Sequence, residues 1–278
     1  MRLKLIYNPA AGRVSRRIGE VEQHLRKAGA EVDSYASTSP ADLTREAARS
    51  SRGDYDRVAI CGGDGTLHLA IREFDLGRGT LALIPLGSGD DFADVNGIPR
   101  DIQKACDLAV RGTAREVDLA TANGLRYAGV AGVGFDSLVA KYANQAAWKN
   151  YNYAILRVLP SFKPLRMKID GRDEEIMFAA FGNSPQYGGG IRIAPTAILD
   201  DGQLDACIVH RATKFQLITT LPLAYAGKHV RKPFVEMRRA PHFVVESEAK
   251  LDVFADGEPL TTTPVRFAIA SEKLKLVV

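Results

Sequence analysis

Val58-Ala59-Ile60-Cys61-Gly62-Gly63-Asp64-Gly65-Thr66 is the stretch from which the fold of this chain is read. Val58 to Cys61 is a short apolar run bounded by glycine, the pattern of a buried strand. Gly62 and Gly63 end it. Asp64, Gly65 and Thr66 then lead into a helix over Leu67 to Phe74, with Thr66 as its expected N-cap. Strand, glycine turn and helix start gather backbone N–H groups and the positive end of a helix dipole at one place, which suits a phosphate. Glycine supplies positive φ and lets phosphate oxygens come close to the backbone. Asp64, in the middle of the turn, can orient a hydroxyl or help hold a metal ion.

The same grammar repeats on either side. Leu3 to Tyr7 reads as a strand and Asn8-Pro9-Ala10-Ala11-Gly12 as a turn. Ser15 is placed to cap a helix carrying Ile18, Val21 and Leu25 on one face and ending near Gly29. Val32 to Tyr35 is a second strand, and Ser39-Pro40 reads as N-cap and N1 of a helix reaching about Arg49. Beyond the central stretch, Thr80 to Pro85 is another buried strand. Leu86-Gly87-Ser88-Gly89-Asp90-Asp91-Phe92 is a second glycine turn opening a helix, and Ile102 to Arg111 is a further amphipathic helix. Alternating strand and helix predict an α/β domain over 1–113: a doubly wound parallel sheet with helices on both faces. Ligands of such sheets bind beyond the C-terminal strand ends, where all three glycine turns fall.

Near residue 114 the grammar changes to short alternating strands. They are Arg115 to Leu119, Arg126 to Val130, Leu165 to Ile169, Glu175 to Phe181, Leu204 to Val209, His242 to Glu246, Leu251 to Ala255, Val265 to Ile269 and Leu274 to Val278. Ile169-Asp170-Gly171 is a hairpin signal. Two helices interrupt them, about Ser137 to Val158 and Lys214 to Tyr225. The pattern predicts a mostly antiparallel β-sandwich domain over 114–278, its last strand able to rejoin either domain. Phe135, Leu138, Tyr151, Tyr153, Leu156 and Leu159 can line its core or a pocket.

The chain has 278 residues, 46% of them apolar and 25% charged, which is ample for a core. A net charge of +4 permits contact with anionic lipid or nucleotide and demands neither; no nucleic-acid partner is expected. The three cysteines, Cys61, Cys106 and Cys207, form no C-x-x-C pair, so zinc and disulfides are not indicated and a reducing, cytoplasmic setting is expected. The N-terminus runs straight into a strand, without the apolar core of a signal peptide. No run of about 20 apolar residues occurs, so membrane contact is expected to be peripheral. Lys228, His229, Arg231, Lys232, Arg238 and Arg239 form a basic group that is either a solvated face or a surface for anionic headgroups. A homodimer stays open.

Taken together, Asn8-Pro9, Gly62-Gly63-Asp64-Gly65-Thr66 and Pro85-Leu86-Gly87-Ser88-Gly89-Asp90-Asp91-Phe92-Ala93 resemble the diacylglycerol kinase catalytic family, which includes bacterial lipid kinases, sphingosine kinases and ceramide kinases. Tyr187-Gly188-Gly189-Gly190-Ile191-Arg192-Ile193-Ala194-Pro195, then Leu199-Asp200-Asp201-Gly202-Gln203-Leu204-Asp205, then Asp256-Gly257-Glu258-Pro259 continue the resemblance in the family's order. The first motif also occurs in NAD kinases and, with Ser or Thr last, in phosphofructokinases; the stretch from Gly188 to Asp205 separates lipid kinases from both. The resemblance implies a doubly wound nucleotide domain, a β-sandwich acceptor domain, nucleotide bound in the cleft between them, and ATP, Mg²⁺ and a lipid alcohol as reactants.

Phosphoryl transfer needs positioning, charge neutralisation and a proton acceptor. Gly62, Gly63, Gly65 and Thr66 can line phosphates, with Asn8 and Gly87 on the neighbouring turns. The resemblance adds hydroxyls from Ser88 and Thr38. No G-x-x-x-x-G-K followed by Ser or Thr is present, so there is no P-loop lysine, and neutralisation falls to Mg²⁺ and backbone donors. Asp64 and Asp201 are candidate metal ligands. The resemblance also places a Mg²⁺ on main-chain oxygens near Ile198 and Gln203. It points to Glu258 as general base, with Asp64 as rival and Asp118 as a further member of the acidic set. Two places depart from the family: Leu67 is followed by His68-Leu69 where Asn-Glu is common, and Asp90 and Asp94 stand where Asn and Arg are common. They keep two alternatives in view, a soluble-metabolite kinase of the NAD type and a non-catalytic lipid-binding protein.

Overall fold

The computed structural model describes residues 1–11, 13–145 and 151–278, with backbone alone at 144–145, 151–152 and 156. In chain order the elements are β1 (Arg2–Tyr7), α1 (Val14–Ala28), β2 (Glu31–Ala36), α2 (Pro40–Arg52), β3 (Arg57–Gly62), α3 (Asp64–Ile71), β4 (Thr80–Pro85), α4 (Asp91–Val95), α5 (Ile102–Arg111) and β5 (Ala114–Val117). They continue as β6 (Ala120–Ala122), β7 (Leu125–Tyr127), β8 (Val130–Gly134), α6 (Phe135–Gln145), α7 (Tyr151–Val158), β9 (Leu165–Ile169), β10 (Arg172–Gly182), β11 (Leu204–His210) and α8 (Lys214–Tyr225). The last are β12 (Val235–Ala240), β13 (His242–Glu246), β14 (Asp252–Ala255), β15 (Glu258–Thr262), β16 (Val265–Ile269) and β17 (Leu274–Val277). The chain divides into two compact units, Met1–Leu119 with Ser271–Val278, and Ala120–Ala270.

In the first unit six strands run in the order β2-β1-β3-β4-β17-β5. Neighbours are parallel except β17 and β5, which are antiparallel. On one face Leu3, Leu5, Ala59, Cys61, Ala82 and Ile84 bury against Val21 and Leu25 of α1 and Ala105 and Cys106 of α5. The other face packs on α2 and α3, and there Lys4 of β1 is ion-paired with Glu46 of α2. Strand β1 has β2 on one side and β3 on the other, so the sheet order reverses between β1 and β3, the place where such sheets bind ligands.

Several sequence expectations change here. Arg115 to Leu119 was expected to open the second domain, but β5 pairs with β17 in the parallel sheet of the first unit. The helix after the glycine turn is Asp64–Ile71, not Leu67 to Phe74; its N-cap is Gly63, so Thr66 lies in the first turn rather than capping it. Helix α1 begins at Val14 ahead of Ser15, and no side chain caps it. At α2 the Ser39 hydroxyl does accept from the Asp42 N–H, with Pro40 in the first turn. The single helix expected over Ser137 to Val158 is divided into α6 and α7; residues 146–150 between them, like Gly12 of the first turn, lie outside the described residues.

The second unit is almost wholly antiparallel, its strands following the path β15-β14-β8-β10-β9-β13-β16-β6-β7, with β11 and β12 beside β10. Its inner core stacks Phe181 on Phe267, ring centroids 4.1 Å apart, with Phe243 at 5.4 Å from Phe181. A bulge in β10 between Ile176 and Phe178 breaks the alternation. Ile176, Ala179 and Phe181 turn to the inner core, while Met177, Phe178 and Ala180 turn to a second apolar layer under α6, α7 and α8.

Candidate active site

The first unit brings its nucleotide candidates to one edge. Register pairs Tyr7 with Cys61, Gly62 with Pro85, and Tyr7 with Ala36. Asn8, Thr38, the Gly62–Thr66 turn and the Gly87–Ser88 turn therefore follow the C-terminal ends of four adjacent parallel strands.

The two glycine turns interlock. A Cβ on Gly87 would stand 2.6 Å from Gly63 Cα and 2.5 Å from Asp90 Oδ1; one on Gly63 would stand 2.9 Å from Gly87 Cα. Only glycine lets these backbones approach so closely. A Cβ on Gly62 would run into the Thr66 side chain, 2.4 Å from its hydroxyl oxygen. Asp90, at φ 55°, takes the left-handed conformation and accepts from the Gly87 N–H at 3.0 Å. Burial raises the Asp90 carboxyl above its ordinary range. The Asp64 carboxylate accepts from the Asp91 N–H at 3.1 Å and the Phe92 N–H at 3.2 Å. Asp64 thus ties the first turn to the start of α4, and the departure at Asp90 has a local reason: its side chain closes the second turn on itself.

The remaining first-unit candidates have defined partners. Asn8 Oδ1 accepts from the Ala10 N–H at 2.9 Å, and the Thr38 hydroxyl donates to Asp42 at 3.0 Å. Ser88 is exposed. Asp118, expected to join the acidic set, is 1% exposed and ion-paired with Lys273 at 3.0 Å. Burial pushes the thiols of Cys61, Cys106 and Cys207 up to about 12, which makes them inert core groups.

In the second unit Glu258 opens β15 after a tight turn with Asp256 at φ 53° and Gly257 at φ 82°, and it is half-buried. The turn is pinned from below. Asp256 accepts from the N–H groups of Ala128, Gly129 and Val130 at 2.9, 2.8 and 3.2 Å. Nothing in the sequence separated this anchoring Asp from its neighbour Glu258; the signal is the long-range pairing of β14 with β8. The Asp201 turn leads into β11. Asp201 accepts from the Gln203 N–H at 2.9 Å and is ion-paired with Arg239. Beside it Asp205, 3% exposed, accepts from the Thr196 hydroxyl at 2.7 Å, and burial raises its carboxyl. Its Oδ2 makes no hydrogen bond, and its nearest cation is Arg239 Nε at 3.5 Å. Asp201, Asp205 and Thr196 bring hard oxygens, the donor type that Mg²⁺ prefers, to the segment leading into β11, with Arg239 as the resident cation. Ala255, Ala131, Phe181 and Ala206 lie in register, so the Glu258 and Asp201 turns lie at the same end of the sheet. Three strand spacings separate β14 from β11, roughly 14 Å.

A narrow apolar cleft, with a volume of about 80 Å³, runs between the second apolar layer and its helices. Phe135, Ile155, Leu159, Phe178, Leu221 and Val235 are among its walls, and Asp136 and Tyr187, hydrogen-bonded at 2.5 Å, are among its few polar groups. Of the residues expected to line a core or pocket, Phe135 and Leu159 line this cleft, Leu138 and Tyr153 are exposed, and the side chains of Tyr151 and Leu156 lie outside the described residues.

The basic group is not one surface. His229 is 2% exposed and lines the cleft. Arg238 binds Glu174 and Glu236, both at 2.7 Å, and Arg239 binds Asp201 and Asp205. Lys228, Arg231 and Lys232 remain as the surface portion.

A glycine-turn α/β unit joined to a sheet-rich unit with an apolar cleft defines a class of kinases. Residues 2–122 match the diacylglycerol kinase catalytic domain, and residues 129–278 match the YegS C-terminal NAD kinase beta sandwich-like domain. The chain is 30% identical over 272 residues to a diacylglycerol kinase of Bacillus subtilis, covering 92% of this chain and 89% of that one. It is 32% identical over 237 residues to a diacylglycerol kinase of Mycobacterium tuberculosis, covering 80% of this chain and 76% of that one. The crystal structure of a diacylglycerol kinase from Bacillus anthracis has the same fold, with a TM-score of 0.73 over 99% of this chain and 96% of that one, at 23% identity. The chain belongs to the diacylglycerol kinase family, whose members are phosphotransferases with an alcohol acceptor. Among the described residues no helix is long and apolar enough to cross a membrane.

Proposed function

We propose that this protein transfers the γ-phosphoryl group of ATP to the free hydroxyl of a diacylglycerol-like lipid. The observation that carries the reading is the convergence of four loops on the C-terminal edge of β2, β1, β3 and β4, two of them in glycine-only contact. Such loops offer backbone N–H donors to phosphate oxygens without a lysine. Gly62, Gly63 and Gly65 face the phosphates; Gly87, its N–H held by Asp90, and Thr66, its N–H held by the Gly63 carbonyl, shape the turns around them, with Asn8, Thr38 and Ser88 at the periphery. Asp64 keeps the two turns in register. The apolar cleft takes the acyl portion of the acceptor. Asp201 and the oxygens of Ile198 and Gln203 would hold a Mg²⁺ that would stiffen the turn before β11. Glu258 takes the proton of the acceptor hydroxyl as its oxygen bonds to the γ-phosphorus and the bond to the bridging oxygen breaks. A lipid substrate brings a membrane as peripheral partner, and the three buried free thiols agree with a cytoplasmic setting.

The test is incubation with γ-labelled ATP, Mg²⁺ and separate acceptors: diacylglycerol, monoacylglycerol, ceramide, sphingosine and NAD. Label is expected in diacylglycerol and lost in Glu258→Gln. Label in NAD alone, or in no lipid at all, contradicts the proposal.

A further inference from the structure

Helix α8 is apolar on two faces. Its inner side, Leu217, Leu221 and Ala224, lines the cleft. Its outer side carries Phe215, Ile218, Pro222 and Tyr225, spaced i, i+3, i+7 and i+10 along one stripe. Phe215 is 75% exposed, Ile218 45% and Tyr225 38%. A soluble helix ordinarily turns polar groups outward, whereas the exposed positions of this stripe are largely apolar. Thr219, beside the stripe, donates its proton back to the carbonyls of Phe215 and Gln216 at 2.9 and 3.1 Å. The N-terminus is closed by a Thr213–Gln216 capping box.

The charge around the stripe is one-sided. From Arg211 to Val235 there is no Asp or Glu; Arg211 is ion-paired with Glu175, and Lys214, Lys228, Arg231 and Lys232 also fall within the segment. Lys214 precedes Phe215, and Lys228, Arg231 and Lys232 follow the C-terminal end of the helix. All of them except Lys232 are exposed, and Lys232 is partly so. Exposed apolar residues flanked by cations, with no acid among them, match an anionic bilayer and oppose a basic or neutral partner. The stripe is continuous with the cleft as well, because Ile218 both lines the cleft and is exposed.

We propose that the outer face of α8 docks on an anionic lipid bilayer and that the helix is the wall past which the acceptor lipid leaves the membrane for the cleft. The inference rests on the reading of the cleft as the acceptor site. Phe215 and Ile218 enter the acyl boundary, and Lys228, Arg231 and Lys232 meet headgroup phosphates.

The test is co-sedimentation of the full chain with vesicles of phosphatidylcholine alone and of phosphatidylcholine mixed equally with phosphatidylglycerol. Wild type is expected to bind the mixed vesicles at least about tenfold more tightly. Phe215→Ser, and separately Lys228→Glu with Lys232→Glu, are expected to lose about tenfold of that affinity. Both variants should keep wild-type phosphorylation of a short-chain diacylglycerol dissolved as monomers, which shows that they fold. Equal binding to both vesicle types, or unchanged binding by Phe215→Ser, overturns the inference. So does conversion of an oligomer to a monomer by Phe215→Ser with vesicle binding intact, since the stripe would then join two copies of the chain. If wild type binds anionic vesicles through α8 yet phosphorylates no monomeric diacylglycerol, the kinase reading fails and the docking surface stands.

Discussion

The two units build their candidate sites from different material. In the first unit the site is main chain: glycines packed too closely to admit a Cβ between them, a left-handed Asp90, and N–H groups at strand ends. In the second it is side chain: Glu258 on its turn, the Asp201 and Asp205 oxygens, and apolar residues around a cleft. A backbone site tolerates changes of side-chain chemistry and fails when a single methyl is added. A side-chain site does the reverse. The contrast explains how the first unit can offer a phosphate site with no lysine, and it orders the experiments that would break or sharpen it.

The largest effect is expected at Glu258. Glu258→Gln keeps shape and removes the proton acceptor, so kcat should fall about 10²–10⁴-fold while the affinity for ATP, measured by calorimetry, stays unchanged. A fall in ATP affinity of the same size would move Glu258 from proton transfer to binding.

Arg238→Ala comes next, and it reads stability rather than activity. Glu174 is 7% exposed and faces Arg238 at 2.7 Å, so removing the guanidinium strands a buried carboxylate. A loss of about 3–5 kcal/mol in denaturant unfolding is expected. Glu236, held down to about 2 chiefly by the Arg238 guanidinium, should titrate closer to its ordinary value in the variant.

Gly87→Ala tests the backbone site. Its methyl would meet Gly63 Cα at 2.6 Å, so the turns must part. We expect a stability loss of about 1–3 kcal/mol together with a loss of ATP affinity, and no change in the binding of a lipid to the second unit. A nucleotide affinity equal to wild type would show that the interlock does not shape the phosphate site.

The smallest effect is a pH dependence in the second unit. Burial lowers the pKa of His229 below its ordinary 6.5, against a weaker opposing hydrogen bond to the Ile193 carbonyl. The unfolded chain therefore binds the proton first as pH falls. Stability from this group is complete above about pH 6.5 and declines below it. Thermal melts of wild type should fall over that range more than those of His229→Gln; parallel curves would contradict the assignment.

Much of the first unit was legible because strand, turn and helix signals there are local. Val58 to Cys61 and Thr80 to Pro85 declared themselves as buried strands, and Ser39-Pro40 as a helix start. What escaped was set by residues distant in sequence. The contact of Gly63 with Gly87 needs two parallel strands in register. The helix start at Asp64 rather than Leu67 follows from Gly63 serving as cap, which leaves Thr66 to pack under Gly62. Strand β5 reads as the beginning of a β-rich region until β17, from the far end of the chain, pairs with it. In the second unit the position of Glu258 was legible only through resemblance, since Asp256-Gly257 is an ordinary hairpin signal. The cleft was not legible: the bulge in β10 turns both Met177 and Phe178 toward the helices, and apolar residues at helical spacing look alike whether they fill a core or line a cavity.

The most direct test of the backbone-built phosphate site is to follow the amide resonances of the full chain as ATP is added. Gly63, Gly65, Gly87 and Ser88 are expected to shift together at one saturating concentration, with the amides of α5 unmoved. If those four stay still while the nucleotide binds elsewhere, the account of the first unit is contradicted.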